Sequence, residues 1–276
     1  MWDRTSDKIE IIPHAKCPKD KETINDKRAR QFFKKAMRDD DIVEGVVAIT
    51  SELGMNSDNT LYAHSVCPDE INHEVGDVTR DLLSHFGKQF SLGGLAGLPF
   101  TGITGFNAFA SHVPEDGHIF VFYGPHIAIC PEGFCGLYHR EGQAEFTTAC
   151  GAAIGAYRAV KDMSHPPKVN FLDFDVQMDH IKRLVWEERD RISNCTVPFK
   201  KLTKLLFEDT RKFFLDVCRH KYKHSGKVLL LGGIQINQSP LDYFEPKQFL
   251  LIEPDGTEKD LLPKLLEFSR IEKERH

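Results

Sequence analysis

Long hydrophobic runs are missing from this 276-residue chain: residues 120–123 and 228–231, its longest, fall far short of the ~20 apolar residues a membrane span requires. No membrane span is expected. The first thirty residues lack the apolar block and small-residue cleavage site of a secretory signal, so the expected compartment is the cytoplasm, or the chloroplast if a transit peptide has been removed. Reducing surroundings exclude a disulfide framework and leave the seven cysteines as free thiols or metal ligands. Concentrated basic charge is also scarce. Net charge is −5, and the one basic stretch, residues 16–38, is interleaved with Asp20, Glu22 and Asp26, which reads as a solvated helix face. With no electrostatic footprint for nucleic acid, the expected partner is a small molecule.

What is present suits one α/β domain spanning residues 1–276, since 41% hydrophobic and 10% aromatic residues can fill a substantial core. Over residues 27–54, Phe33, Met37, Val46 and Ile49 recur at helical spacing around the acids 39–41, predicting two packed helices as an amino-terminal extension of about 25–58. Residues 61–66 read as a strand stopped by Pro68, and 118–123 as a buried strand turned by Gly124-Pro125. Between them Val75, Val78, Leu82 and Phe86 share one helical face, so Arg80 points elsewhere, and the stretch 93–106 reads as an irregular loop. Small residues over 145–161 predict a helix that approaches a sheet closely, with Cys150 in its first turns. Helices over 176–192 and 199–222, strands over 227–236 and 249–253, and a closing helix from 259 complete the alternation. The expected fold is a mostly parallel central sheet flanked by helices, with a metal core over about 59–161 and a carboxyl-terminal α/β part over 162–276.

Three residues could carry chemistry together. Cys67 and His126 follow two expected strands, and Cys150 opens the helix after the second. Parallel neighbouring strands would bring all three to one place, where the helix dipole favours a thiolate. Two thiolates and one imidazole suit catalytic zinc, which takes three protein ligands and leaves the fourth position for water. Their long sequence separations leave open a plainer reading as buried core side chains.

The segments Ala63 to Asn72 (AHSVCPDEIN), Gly117 to Ile129 (GHIFVFYGPHIAI) and Thr148 to Ala153 (TACGAA) resemble, in this order, the limiting-CO2-inducible protein B family. That family is similar to the β-carbonic anhydrases in fold and zinc site and is sometimes called the theta class. The resemblance implies Cys67, His126 and Cys150 as ligands of Zn2+, Asp69 and an arginine as catalytic dyad, a homodimer, and interconversion of carbon dioxide and bicarbonate. In that pattern the arginine stands four residues after the first cysteine, where this chain has Ile71. Arg80 is then expected to serve, because only His73 and His85 offer other basic groups between Cys67 and Lys88. The pattern also has glycine where Ala128 stands.

Two other classes compete. A non-catalytic, zinc-stabilised scaffold would close the site with a fourth protein ligand, Asp69, Cys130 or Cys135. A metal-free thiol hydrolase would use Cys150 as nucleophile. Cys130 and Cys135 flank a glycine-containing turn without a second pair at zinc-ribbon spacing and read as free thiols. His112 and His118 are expected to be second to the ligands, and the phosphate-loop-like stretch 97–104 has Ile103 where a lysine is needed. Phe100, Phe106 and Phe109 read as core, or as walls of a dry pocket.

Overall fold

The computed structural model describes residues 22–172, 174–222 and 225–275. In chain order, helix α1 (Ile24–Phe32) and strand β1 (Met37–Arg38) lead into α2 (Asp39–Glu52), β2 (Thr60–Ser65), α3 (Val78–Phe86), β3 (Gln89–Ser91), α4 (Gly102–Ala110) and β4 (His118–Tyr123). Strand β5 (His126–Ala128) follows, then β6 (Leu137–Tyr138) and β7 (Thr147–Thr148), which pair as a separate ribbon, and helices α5 (Gly151–Val160), α6 (Val176–Ser193) and α7 (Pro198–Asp216). Strands β8 (Val228–Asn237), β9 (Tyr243–Ile252) and β10 (Glu258–Asp260) and helix α8 (Leu262–Arg275) complete the order.

The main sheet runs β1-β9-β8-β4-β2-β3, with β10 beside β9 and β5 beside β8. Strands β3, β2, β4, β8 and β5 are mutually parallel, whereas β9 is antiparallel to β8, β1 and β10. This is the mostly parallel α/β sheet expected. The apolar runs of β4 and β8 follow from burial on both faces, as interior parallel strands require. Tyr62, Phe120, Phe122 and Leu229 face α2, α3 and α8, while Val121, Tyr123 and Leu230 face the side carrying α4 and α7.

Several boundaries differ from expectation. The two amino-terminal helices form, but α2 packs on α3 and α8. Part of the stretch read as a loop is α4, whose Phe106 and Phe109 are buried; its two glycines hid the helical pattern. Residues 145–150 are not helical, and α5 starts after Cys150 because β7 takes up Thr147 and Thr148. Helix α7 gives way to a wider turn over Val217–Lys221, and β9 begins at Tyr243. Residues 258–260 are β10 rather than the start of the closing helix. Among the described residues no helix is long and apolar enough to cross a membrane.

An acidic cavity of about 260 Å3 lies between the starts of α2 and α3 and the turn joining β8 to β9. Asp39, Asp77 and Asp242 line it, with Asp40, Glu74 and Asp81 as further acids and Tyr138 and Arg38 beside them. Burial, then neighbouring carboxylates, pushes Asp39 well above the usual range. Burial raises Asp77 to about 8 and Asp242 to about 7. Raised acids bind their protons more tightly folded than unfolded, so they destabilise the fold progressively as pH rises from about 4 to about 8. In buffer without divalent salts, Tm is expected to fall by about 10 °C or more across that window, and Asp77→Asn to flatten much of the slope. Melting curves in which the variant keeps the full wild-type slope would contradict the assignment.

Candidate metal centre

Strands β2 and β4 are parallel neighbours in register, Thr60 opposite His118 through Ser65 opposite Tyr123. Their carboxyl ends therefore lie side by side, where open α/β sheets habitually bind ligands. Cys67 follows β2 and His126 follows β4. Gly124 lets the chain make that turn tightly: a Cβ there would lie 1.9 Å from the Gly233 carbonyl oxygen on β8. Cys150 occupies the N-cap position of α5, at the positive end of that helix.

The Sγ atoms of Cys67 and Cys150 are 3.8 Å apart, and with a ring nitrogen of His126 they form a group whose atoms all lie within 4.8 Å of one another. All three residues are buried. It is the one such three-residue group among the described residues. The Cys150 contact, more than any other influence, pulls Cys67 down to about 4, while the same contact and then burial push Cys150 well above a normal thiol. Burial works against charging His126, but the Cys67 thiolate and Asp69 outweigh it and the net direction is upward.

Asn237 fixes the imidazole. Its Nδ2 donates to the Ile71 carbonyl at 3.0 Å, so its Oδ1 must be the atom 3.0 Å from His126 Nδ1. An amide oxygen only accepts, so Nδ1 carries hydrogen and Nε2 faces the two sulfurs. That Nε2 is buried without a hydrogen-bond partner. An orphaned buried nitrogen aimed at two thiols fits a tetrahedral zinc with one position left over. Removing the partner of a liganding histidine typically weakens metal affinity 10–100-fold. Asn237→Leu is therefore expected to weaken zinc binding by about that factor, read by competition with a chromophoric chelator; unchanged affinity would remove Asn237 from the centre.

Asp69 Oδ2 lies 3.7 Å from His126 Nε2. Its other oxygen accepts from Nη2 of Arg140 at 2.8 Å. Arg140 sits in the loop between β6 and β7; its Nε donates to Glu70 Oε1 at 2.5 Å, its Nη1 donates to Thr147 Oγ1, and it lies 5.8 Å from the centre of the Tyr138 ring. Burial raises the Asp69 carboxyl, with His126 and Arg140 pulling the other way, whereas the Arg140 contact lowers Glu70.

The expected partner of Asp69, Arg80, is corrected here. Arg80 is exposed on α3, and its backbone N–H donates to the N-capping Asp77. At position 71 Ile71 is buried in a small apolar cluster with Ala128 and Ala149, against which Tyr138 packs, and it offers Asp69 no charged partner. The signal that could have found Arg140 was its place between two ligands, in the segment joining His126 to Cys150. Cys130 and Cys135 stay outside the group as free thiols. His118 Nδ1 accepts from the Lys227 backbone, and His112 packs on Phe90, so neither attends the centre. Cys17 lies outside the described residues; Cys195 and Cys218 are free thiols and not members of the group.

Comparison with known proteins identifies the family and the fold. Residues 36–253 match the family described as limiting CO2-inducible proteins B/C β-carbonic anhydrases. The crystal structure of PtLCIB4, a homolog of the limiting CO2-inducible protein LCIB, is similar at 26% identity and a TM-score of 0.76, covering 85% of this chain and 98% of that one. LCIB itself, at 21% identity and a TM-score of 0.64, covers 83% of this chain and 95% of its own and shares the fold. No curated protein matches the chain by sequence.

Proposed function

The chain belongs to the limiting CO2-inducible protein B/C family of β-carbonic anhydrases, and from that premise we propose that it catalyses the zinc-dependent, reversible hydration of carbon dioxide to bicarbonate. The observation that carries this reading is the buried, unpartnered Nε2 of His126 facing two thiols, with an Asp69 oxygen 3.7 Å away. Cys67, His126 and Cys150 would hold Zn2+, which supplies a Lewis acid that brings the acidity of water toward neutrality.

The remaining work falls to the chain. Arg140 holds Asp69 Oδ1 and so keeps Oδ2 turned toward the ligands, where it can accept a hydrogen bond and orient the attacking oxygen. The same grip keeps Asp69 from swinging onto the metal and closing the open position. Ala96, Leu98 and Ile154 pack around the cysteines and exclude bulk water from that side. The scaffold reading needs a fourth protein donor, and the geometry gives it little support, since Asp69 is held by Arg140 and Cys130 and Cys135 stand apart. The thiol-hydrolase reading needs Cys150 as a ready thiolate, and the Cys67 contact and burial push its thiol the other way in the metal-free site.

The test is stopped-flow hydration of carbon dioxide by zinc-replete protein. Turnover well above the buffer background is expected; background rates at full zinc occupancy would reject catalysis and leave the scaffold. The expected homodimer and the cytoplasmic or chloroplast compartment belong to the same proposal, the former read as a solution mass twice 31.4 kDa.

A further inference from the structure

Three distant segments send a carboxylate into the acidic cavity: Asp39 from the start of α2, Asp77 from the cap of α3 and Asp242 from the β8–β9 turn. Each has one oxygen tied down by a backbone N–H. Val78 N donates to Asp39 Oδ2 at 3.2 Å, Arg80 N to Asp77 Oδ1 at 2.8 Å, and Gln238 N to Asp242 Oδ1 at 2.7 Å. The second oxygens of two of them, Asp39 Oδ1 and Asp77 Oδ2, are buried without a partner, on residues only 6% and 4% exposed.

We propose that this cavity is a second metal site, for a hydrated hard divalent cation of the magnesium and calcium class. Helix capping accounts for one oxygen of Asp77; it does not account for the other, or for three acids meeting there. Buried carboxylates need a counter-charge or a proton, and Arg38, the cation on the wall, gives Nε and Nη2 to Asp26 at 3.0 and 2.7 Å. Burial and mutual repulsion raise these acids, and among the described lining residues Arg38 is the one cation.

The donor set selects the ion. It consists of carboxylate oxygens with no sulfur or imidazole, which suits magnesium or calcium and not zinc. No three of these acids bring oxygens within the 4.8 Å that groups the zinc-fitting triad, so part of the ion's shell has to be water. At ~30 Å3 per water, a cavity of about 260 Å3 has room for an ion with its hydration shell, and magnesium commonly keeps several waters while touching one or two carboxylates. The bound ion would tie α2, α3 and the β8–β9 turn together. It would also sit close to Asn237, which neighbours Asp242 and holds His126.

The experiment uses the full chain saturated with zinc, freed of other divalent ions, and titrated with magnesium chloride at constant ionic strength. A saturable rise in Tm of about 3–6 °C is expected by about ten times Kd, with none from added sodium chloride. Asp39→Asn and Asp77→Asn should each retain zinc and lose the rise. A flat or non-saturating wild-type response, or an equal rise in both variants, overturns the site. Should either variant fail to fold, manganese binding to the wild type decides by electron paramagnetic resonance. One Mn2+ per zinc-loaded chain, displaced by magnesium, supports the site; no bound Mn2+ overturns it and leaves shared protons as the counter-charge.

Discussion

Cys67→Ser or His126→Ala should strip the candidate centre of zinc while leaving the fold recognisable. Each change removes one of three donors, and the two that remain, Cys150 Sγ and either the Cys67 sulfur or the imidazole, form a site too poor to compete with a weak chelator. The affinity loss should exceed by far the ~100-fold that removing an outer partner produces. A serine hydroxyl is neither deprotonated near neutrality nor soft, so it does not replace the sulfur. Elemental analysis after dialysis should find about one zinc per wild-type chain and only traces in the variants. Full retention in both would sink the ligand assignment. Because the ion fits only the folded arrangement, stripping zinc from the wild type should also lower Tm, by about 10 °C or more.

Activity should respond most sharply to Arg140. Its guanidinium binds Asp69 through Nη2 and Glu70 through Nε, so Arg140→Ala releases the one group that aims Asp69 at the ligands. A displacement of ~1 Å in a positioned reacting group costs ~100-fold, and a loss of about that size in kcat/KM is expected with zinc still bound. Asp69→Ala should lose as much. The double variant should be hardly worse than the worse single, because groups acting as one unit are strongly non-additive. Arg140→Lys should rescue little, since an ammonium cannot reproduce the fork. Arg80→Ala, at an exposed position, should stay within about twofold of wild type. Comparable losses at Arg80 and Arg140, or simple additivity with Asp69→Ala, would dissolve the proposed pair.

What the sequence disclosed follows the reach of its signals. Pro68 after one apolar run and Gly124-Pro125 after another mark two strand ends, and the apolar runs of β4 and β8 mark strands buried on both faces. Neighbouring parallel strands then bring Cys67 and His126 together. Arg140 carries no such signal: it stands in a loop without periodicity, 71 positions from Asp69, and proximity along the chain favoured Arg80 instead. Tertiary pairing also set the boundary at residues 145–150: the small residues from Ala149 onward suggest a helix over 145–161, but Thr147 and Thr148 pair with Tyr138 and Leu137. Glycine hid α4 in the same way, because two of its nine positions lack a side chain. Asn237 was invisible because nothing in an apolar strand singles out one amide.

The strand order bears on how this protein can meet copies of itself. An open sheet ends in rows of free amides and carbonyls that invite another chain to add on. Here one border, β9, is shielded at both ends: β1 pairs with Tyr243 and Phe244, and β10 with residues 250–252. The interval left between them holds Pro246, which has no N–H to offer, flanked by Glu245 and Lys247. The opposite border, β3, is three residues long and follows Lys88. Strand addition is thus discouraged on both sides, which protects the folded chain from fibre-like growth. A second subunit has to dock through helices and loops, and a homodimer of this protein should bury side-chain surface without extending the sheet.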